Sequence, residues 1–268
     1  MSRFTFLSAV VALAVTSGSA LAGDGHFDIF IGAAGGQTAY GGIDVDDGDV
    51  TPDLRVFEVE MPVDGTFPNS YSADAPGFNH PEDDGDLPPG VTSLSPGDNI
   101  VVNELSLTVD GVTADLFFWD GTGPVSFAPA PVGVDFSIVT EFMGNSIGTA
   151  GTGGGFDDHP DFFVGAVTLP TPGIYLGSLE AQAGLLDPTD PLFLVMGTDG
   201  LITPEFLGIS QMDFDMLTDE QVDEELEEVI ELAVEYVETS VIPEPGAAVL
   251  ALVGGLGLMG RRRFNAVS

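Results

Sequence analysis

Leu105-Ser106-Leu107-Thr108-Val109-Asp110-Gly111-Val112-Thr113-Ala114-Asp115-Leu116-Phe117-Phe118-Trp119 is the stretch that decides the fold. Apolar side chains alternate with Ser106 and Thr108, the period of a strand with one face in a core. Asp110-Gly111 then supplies the residue pair that tolerates positive φ at both central positions of a tight hairpin turn. A second apolar run from Ala114 to Trp119 follows and closes on another turn pair, Asp120-Gly121.

The same texture extends in both directions. Phe27, Ile29 and Ile31 alternate with His26, Asp28 and Phe30, and Arg55-Val56-Phe57-Glu58-Val59-Glu60-Met61 alternates again. Beyond the hairpin, strands are expected over 125–127, 134–139, 156–164, 173–180 and 192–196. Pro76 to Gly90 reads as a long connection, and Gly151 to Gly155 as a flexible glycine run. With 36 glycines and 19 prolines between short strands, the residues 23–215 predict a mainly β antiparallel sandwich or jelly-roll-like domain.

The charge balance is extreme. Five arginines and no lysine stand against 43 acids, a formal net charge of −38. Arg3 and Arg261 to Arg263 lie near the two ends, which leaves Arg55 for everything between. Such a surface repels nucleic acid and anionic lipid, so nucleic acid is not an expected partner. What remains is solvation in salty surroundings, or carboxylates that collect hard divalent cations. The chain has no cysteine.

The two ends read as addresses. Arg3, the apolar run Phe4 to Val15 and Ala20-Leu21-Ala22 have the order of a secretory signal peptide over 1–22, cleaved after Ala22. Over 216–241, Thr218 and Gln221 form a capping-box pattern. Val222, Leu226, Val229, Ile230, Ala233 and Val237 then recur at helical spacing among glutamates. With no countercharge, this acidic helix is expected to hold only by docking its apolar stripe. Residues 242–268 follow: Pro243-Glu244-Pro245, a thirteen-residue apolar run from Ala247 to Met259, and Arg261-Arg262-Arg263. That run is short for a transmembrane segment, which wants about 20 residues, and the arginines place its far side in the cytoplasm.

Pro243-Glu244-Pro245, the apolar run and the arginine cluster together resemble the PEP-CTERM sorting signal. The resemblance implies an exosortase-type sorting enzyme as partner, transient passage through the inner membrane, and delivery to the cell envelope, surface or extracellular polysaccharide matrix. Gly25-His26-Phe27-Asp28-Ile29, Pro76-Gly77-Phe78, Leu87-Pro88-Pro89-Gly90, Leu116-Phe117-Phe118-Trp119-Asp120-Gly121 and Asp190-Pro191-Leu192-Phe193-Leu194-Val195 resemble zinc-uptake-regulator-repressed PEP-CTERM proteins. That family carries a Gly-His-x-Asp start and a later His-x-His element, which implies metal binding. At the later element this chain reads His159-Pro160-Asp161, so Asp161 stands where the family has its second histidine.

Three histidines are present, His26, His80 and His159, each beside carboxylates. Imidazole with carboxylate suits Zn2+ or another first-row metal if the loops converge, and His26, Asp28, His159 and Asp161 form the candidate set. Asp44, Asp46 and Asp49 around Gly48 carry the oxygen density that Ca2+ takes, without the spacing of an EF-hand; turn-forming aspartates are the plainer reading. No nucleophile elbow, phosphate loop or His-Glu-x-x-His motif occurs, so the expected role is structural or binding rather than enzymatic. The competing classes are a secreted polysaccharide-acting enzyme and a lectin-like module that stacks sugar on Trp119.

Overall fold

The computed structural model describes residues 27–45, 48–81, 87–140 and 144–242. The 1–22 leader, His26, Asp46 and the sorting signal, with Pro243, Glu244, Pro245, Arg261, Arg262 and Arg263, lie outside the described residues. Seventeen strands follow in order: β1 (Phe27–Ala34), β2 (Gln37–Asp44), β3 (Val50–Pro52), β4 (Val56–Met61), β5 (Ser70–Ala73), β6 (Phe78–His80), β7 (Asn99–Glu104), β8 (Leu107–Val109), β9 (Val112–Ala114), β10 (Phe117–Trp119), β11 (Ala128–Pro129), β12 (Asp135–Val139), β13 (Ser146–Thr149), β14 (Phe156–Asp158), β15 (Asp161–Gly165), β16 (Ile174–Ala183) and β17 (Leu192–Thr198). Two single-turn helices, α1 (Pro204–Leu207) and α2 (Gln211–Phe214), lead into α3 (Asp219–Tyr236).

The protein is mainly β, with mixed rather than purely antiparallel sheets. One sheet runs β14-β6-β1-β2-β3 and a three-stranded sheet runs β12-β15-β5. The seven-stranded sheet has the path β11-β10-β16-β17-β4, with β7 joined to the second half of β16 and β13 joined to β7. Two pairings are parallel, β1 with β6 and β17 with β4. β17, which takes part in the second of them, has all seven residues buried. A continuous apolar run of that kind belongs to a strand covered on both faces, where parallel neighbours are common.

Alternation along these strands builds two cores. Phe57, Val59 and Met61 of β4, Leu194 and Met196 of β17, and Tyr175 and Leu179 of β16 enter the first, with Ile29, Ile31 and Phe78. Val56, Phe193, Val195, Ile174 and Leu176 turn to the other face and form the second core with Leu226, Val229, Ile230 and Ala233 of α3. Trp119 sits in this second core, 4 % exposed, against Phe127, and its indole N–H donates to the Thr122 carbonyl. It is core, not a platform for sugar.

The local rules hold where they were sharpest. The Asp110-Gly111 turn has φ of 49° and 80°, the positive pair that a two-residue hairpin requires, and joins β8 to β9 with Val109 opposite Val112. Thr218 and Gln221 close the capping box of α3 from both sides. The apolar stripe of α3 docks on β17 and β4. Gly197 permits the close approach, since a Cβ there would stand 2.5 Å from Cδ1 and 2.7 Å from Cγ1 of Ile230.

Removing Ile230, 1 % exposed, by Ile230→Ala is expected to cost about 2–5 kcal/mol in urea denaturation. Gly197→Ala should destabilise alone but cost clearly less in the Ile230→Ala background, because the two share one contact.

Candidate metal centre

The site grows from the five-stranded sheet. β6 lies between β1 and β14, with Ile29 opposite Phe78 and Asp157 opposite Asn79. Ile29, Phe78 and Phe156 face the first core. Asp28, Asp157 and, two residues further on, His159 therefore fall on the opposite face, because neighbouring side chains on a strand point to opposite sides. Between them stands Gly77, whose carbonyl accepts from the Ile29 N–H at 2.8 Å.

Gly77 is what lets the three meet. Its N–H donates to Asp28 Oδ1 at 2.7 Å. A Cβ on Gly77 would lie 2.5–2.7 Å from three atoms of the His159 ring, so only glycine leaves room for the imidazole to rest on that backbone. His159 then turns Nε2 toward Asp28 Oδ2 at 3.9 Å and Asp157 Oδ1 at 3.4 Å. One ligand atom from each of Asp28, Asp157 and His159 can be chosen so that all lie within 4.8 Å of one another. Oxygen and nitrogen atoms bound to one zinc at 2.0–2.2 Å are roughly 3.3 Å apart, so a small closing movement brings the trio to bonding range.

The other ring nitrogen sets the chemistry. His159 Nδ1 is 3.0 Å from the Asp74 carbonyl, an acceptor with no proton to give, so Nδ1 carries the hydrogen and donates. In the neutral ring the lone pair is then at Nε2, aimed at the two carboxylates. A ligating histidine tied at its far nitrogen to a backbone carbonyl is the usual arrangement at metal sites. Asp28 is buried, at 5 % exposure, while the His159 and Asp157 side chains are 45 % and 67 % exposed, so the outer side is open to solvent. Burial alone would lower the His159 pKa. The Asp74 hydrogen bond and the charges of Asp28, Asp157 and Asp74 outweigh it, and the net direction is upward from 6.5.

The sequence-derived candidates distribute as follows. Asp28 and His159 come together, and the third ligand within reach is Asp157, not Asp161. Asp161 opens β15, opposite Val139, and takes no part in the group. His80 is not a loop residue: it is 1 % exposed, its Nδ1 lies 2.6 Å from the Ile31 carbonyl, and its ring stacks on Phe30. Asp44 and Asp49 close the turn between β2 and β3 through Asp44 N–H to Asp49 carbonyl, with Gly48 at φ 77°. Among the described residues these two join no group of potential ligands. Sequence reasoning missed Asp157, although the i, i+2 spacing to His159 on an alternating strand carries that signal. It also read Phe78-Asn79-His80 as part of a connection, whereas β6 is the middle strand of the site.

No family model and no curated protein matches the chain. One solved structure that resembles it is described as a family 123 glycoside hydrolase from Clostridium perfringens, studied for glycolipid glycan hydrolysis. The two are 12 % identical, with a TM-score of 0.22, over 56 % of this chain and 24 % of that one. A likeness at that level carries no argument about fold or activity.

Gly77→Ala is expected to lower any metal affinity about 10–100-fold while the fold is kept, the size found when a supporting contact of a metal ligand is disturbed. In the metal-free protein, a raised imidazole pKa means that the His159 ion pairs stabilise fully below pH 6.5 and fade as pH rises through the folded pKa. The melting-temperature difference between the parent and His159→Gln should therefore be largest at acid pH and shrink toward pH 8.

Proposed function

We propose that this protein is an exported cell-envelope or extracellular-matrix protein whose β-sandwich-like body binds a divalent metal, Zn2+ or Ca2+, at Asp28, Asp157 and His159. One observation carries the metal reading: an imidazole fixed at Nδ1 by the Asp74 carbonyl presents Nε2 to two carboxylates that pair with no arginine among the described residues. Asp28 would supply the buried anionic ligand, Asp157 the exposed one and His159 the nitrogen. Zn2+ fits the mixed nitrogen and oxygen donors. Ca2+ is favoured less, since it takes oxygen ligands in larger number.

The export reading rests on the residues of the two ends. The signal-peptide pattern over 1–22 supports secretion. Pro243-Glu244-Pro245, the apolar run and Arg261-Arg262-Arg263 support recognition by an exosortase-type enzyme, transient membrane contact, and deposition at the surface beside polysaccharide. The acidity of the body supports the same destination, because a protein of net charge −38 stays dispersed and gathers cations from its surroundings.

Calorimetric titration of the demetallated protein with Zn2+ tests the metal reading. One tight site per chain is expected, weakened at least tenfold by Asp28→Asn, Asp157→Asn or His159→Ala and unchanged by Asp161→Asn. Equal affinity in the parent and the His159→Ala variant would refute it. Replacing Pro243-Glu244-Pro245 by alanines should leave the protein in the inner-membrane fraction. Unaltered delivery would count against the sorting reading and leave the metal reading untouched.

A further inference from the structure

Strand β7 sends Ile100 and Val102 into the first core and ends beyond them at Asn103 and Glu104. Its neighbour β13 begins at Ser146, opposite Val101, and the Asn145 carbonyl just ahead accepts from the Val102 N–H at 2.9 Å. Close by runs β12, the outer strand of the three-stranded sheet. Its Ile138 N–H, instead of meeting another strand, donates to Glu104 Oε1 at 3.0 Å. A cleft of about 260 Å³ lies between the end of β7 and the edge of β12, lined by Val102, Asn103, Glu104, Ile138, Thr140 and Asn145.

The polar lining is tied together. Asn145 Nδ2 donates to Asn103 Oδ1 at 2.9 Å, and Asn103 Nδ2 reaches Glu180 Oε1, on its cross-strand partner in β16, at 3.4 Å. These contacts hold the side chains without consuming them. Each carboxamide keeps one N–H, Asn145 keeps its Oδ1 and Glu104 keeps its Oε2, with no hydrogen bond to another described residue. N–H donors beside oxygen acceptors suit a molecule that carries both, as a row of hydroxyl groups does. An anion would meet Glu104 and no cationic side chain. A divalent cation would find a single carboxylate, already accepting from an amide, where it prefers several oxygen ligands. The volume sits just below the roughly 300–1,000 Å³ of sites for drug-sized ligands, room for one ring. Val102 and Ile138 supply apolar surface for its C–H groups.

We propose that this cleft binds one neutral sugar unit of an oligosaccharide or polysaccharide. Glu104 accepts from its hydroxyls, and Asn103 and Asn145 donate to them, with Asn145 Oδ1 as a further acceptor. The cleft shares no residue with Asp28, Asp157 and His159 and needs no metal, so it stands apart from the metal reading. No aromatic side chain lines it, so hydroxyl pattern rather than ring stacking sets its selectivity.

The test is titration of the metal-free, full-length, nitrogen-15-labelled chain with glucose, galactose, mannose and N-acetylglucosamine, read by NMR at the side-chain amides of Asn103 and Asn145. At least one sugar should shift both signals saturably, with a Kd of about 1–10 mM for a ligand of this size. Glucuronate should bind at least tenfold more weakly than glucose or its best neutral counterpart. Asn145→Ala, at an exposed position, and Glu104→Gln, which keeps an acceptor for the Ile138 amide, should each weaken the sugar at least tenfold with the urea midpoint unchanged. No shift with any of the four sugars would overturn the proposal. So would binding that persists undiminished in both variants, or shifts produced by Ca2+ and by none of the sugars.

Discussion

With Arg55 as the one arginine or lysine between the leader and the C-terminal arginines, most carboxylates of this protein must be accommodated without a cationic side chain beside them. That constraint accounts for much of the local structure. Asp64 accepts from the backbone N–H groups of Thr66 and Phe67 and from the Ser72 hydroxyl, and its carboxyl is held below the usual range by them. Asp98 takes the Ser95 amide, Asp120 the Thr122 amide and hydroxyl, and Asp28 the Gly77 amide. Backbone donors replace cations, and each such pairing makes a turn or pins one strand to the next.

Two places resist that solution, and both are where chemistry concentrates. At Asp28, one oxygen is satisfied by Gly77 and the other meets Asp157 across His159, so two negative groups share one imidazole. At Glu58, loss of water and the charges of Glu231, Glu227, Glu238 and Glu60 raise the carboxyl from 4.5 to about 7. The first place is relieved by a proton on His159 or by a cation; the second by a proton on Glu58.

The legible part of this fold was local. The Asp110-Gly111 hairpin, the capping box at Thr218 and the docked stripe of α3 follow from residues within a few positions of one another. Pairings across long separations were not legible. Nothing in Phe78-Asn79-His80, three residues inside a stretch rich in proline, glycine and acid, announces a strand between β1 and β14. The parallel registers of β1 with β6 and β17 with β4 depend on the tertiary path. At the site, two of the residues that meet, Asp28 and His159, were chosen for being imidazole and carboxylate. Asp157 is one of three aspartates within two residues of His159 and stands out only once its alternation with His159 along a strand is recognised, and the roles of Gly77 and Asp74 rest on backbone atoms that side-chain chemistry does not reveal.

At the proposed metal centre a single imidazole presents Nε2 to two carboxylates. X-ray absorption at the zinc edge of the protein loaded with one equivalent of Zn2+ reads that shell directly. A first shell of light atoms near 2.0–2.2 Å with the outer scattering of one imidazole, lost in His159→Ala, is the predicted result. An all-oxygen shell in the parent, or a shell with two imidazoles, would contradict it.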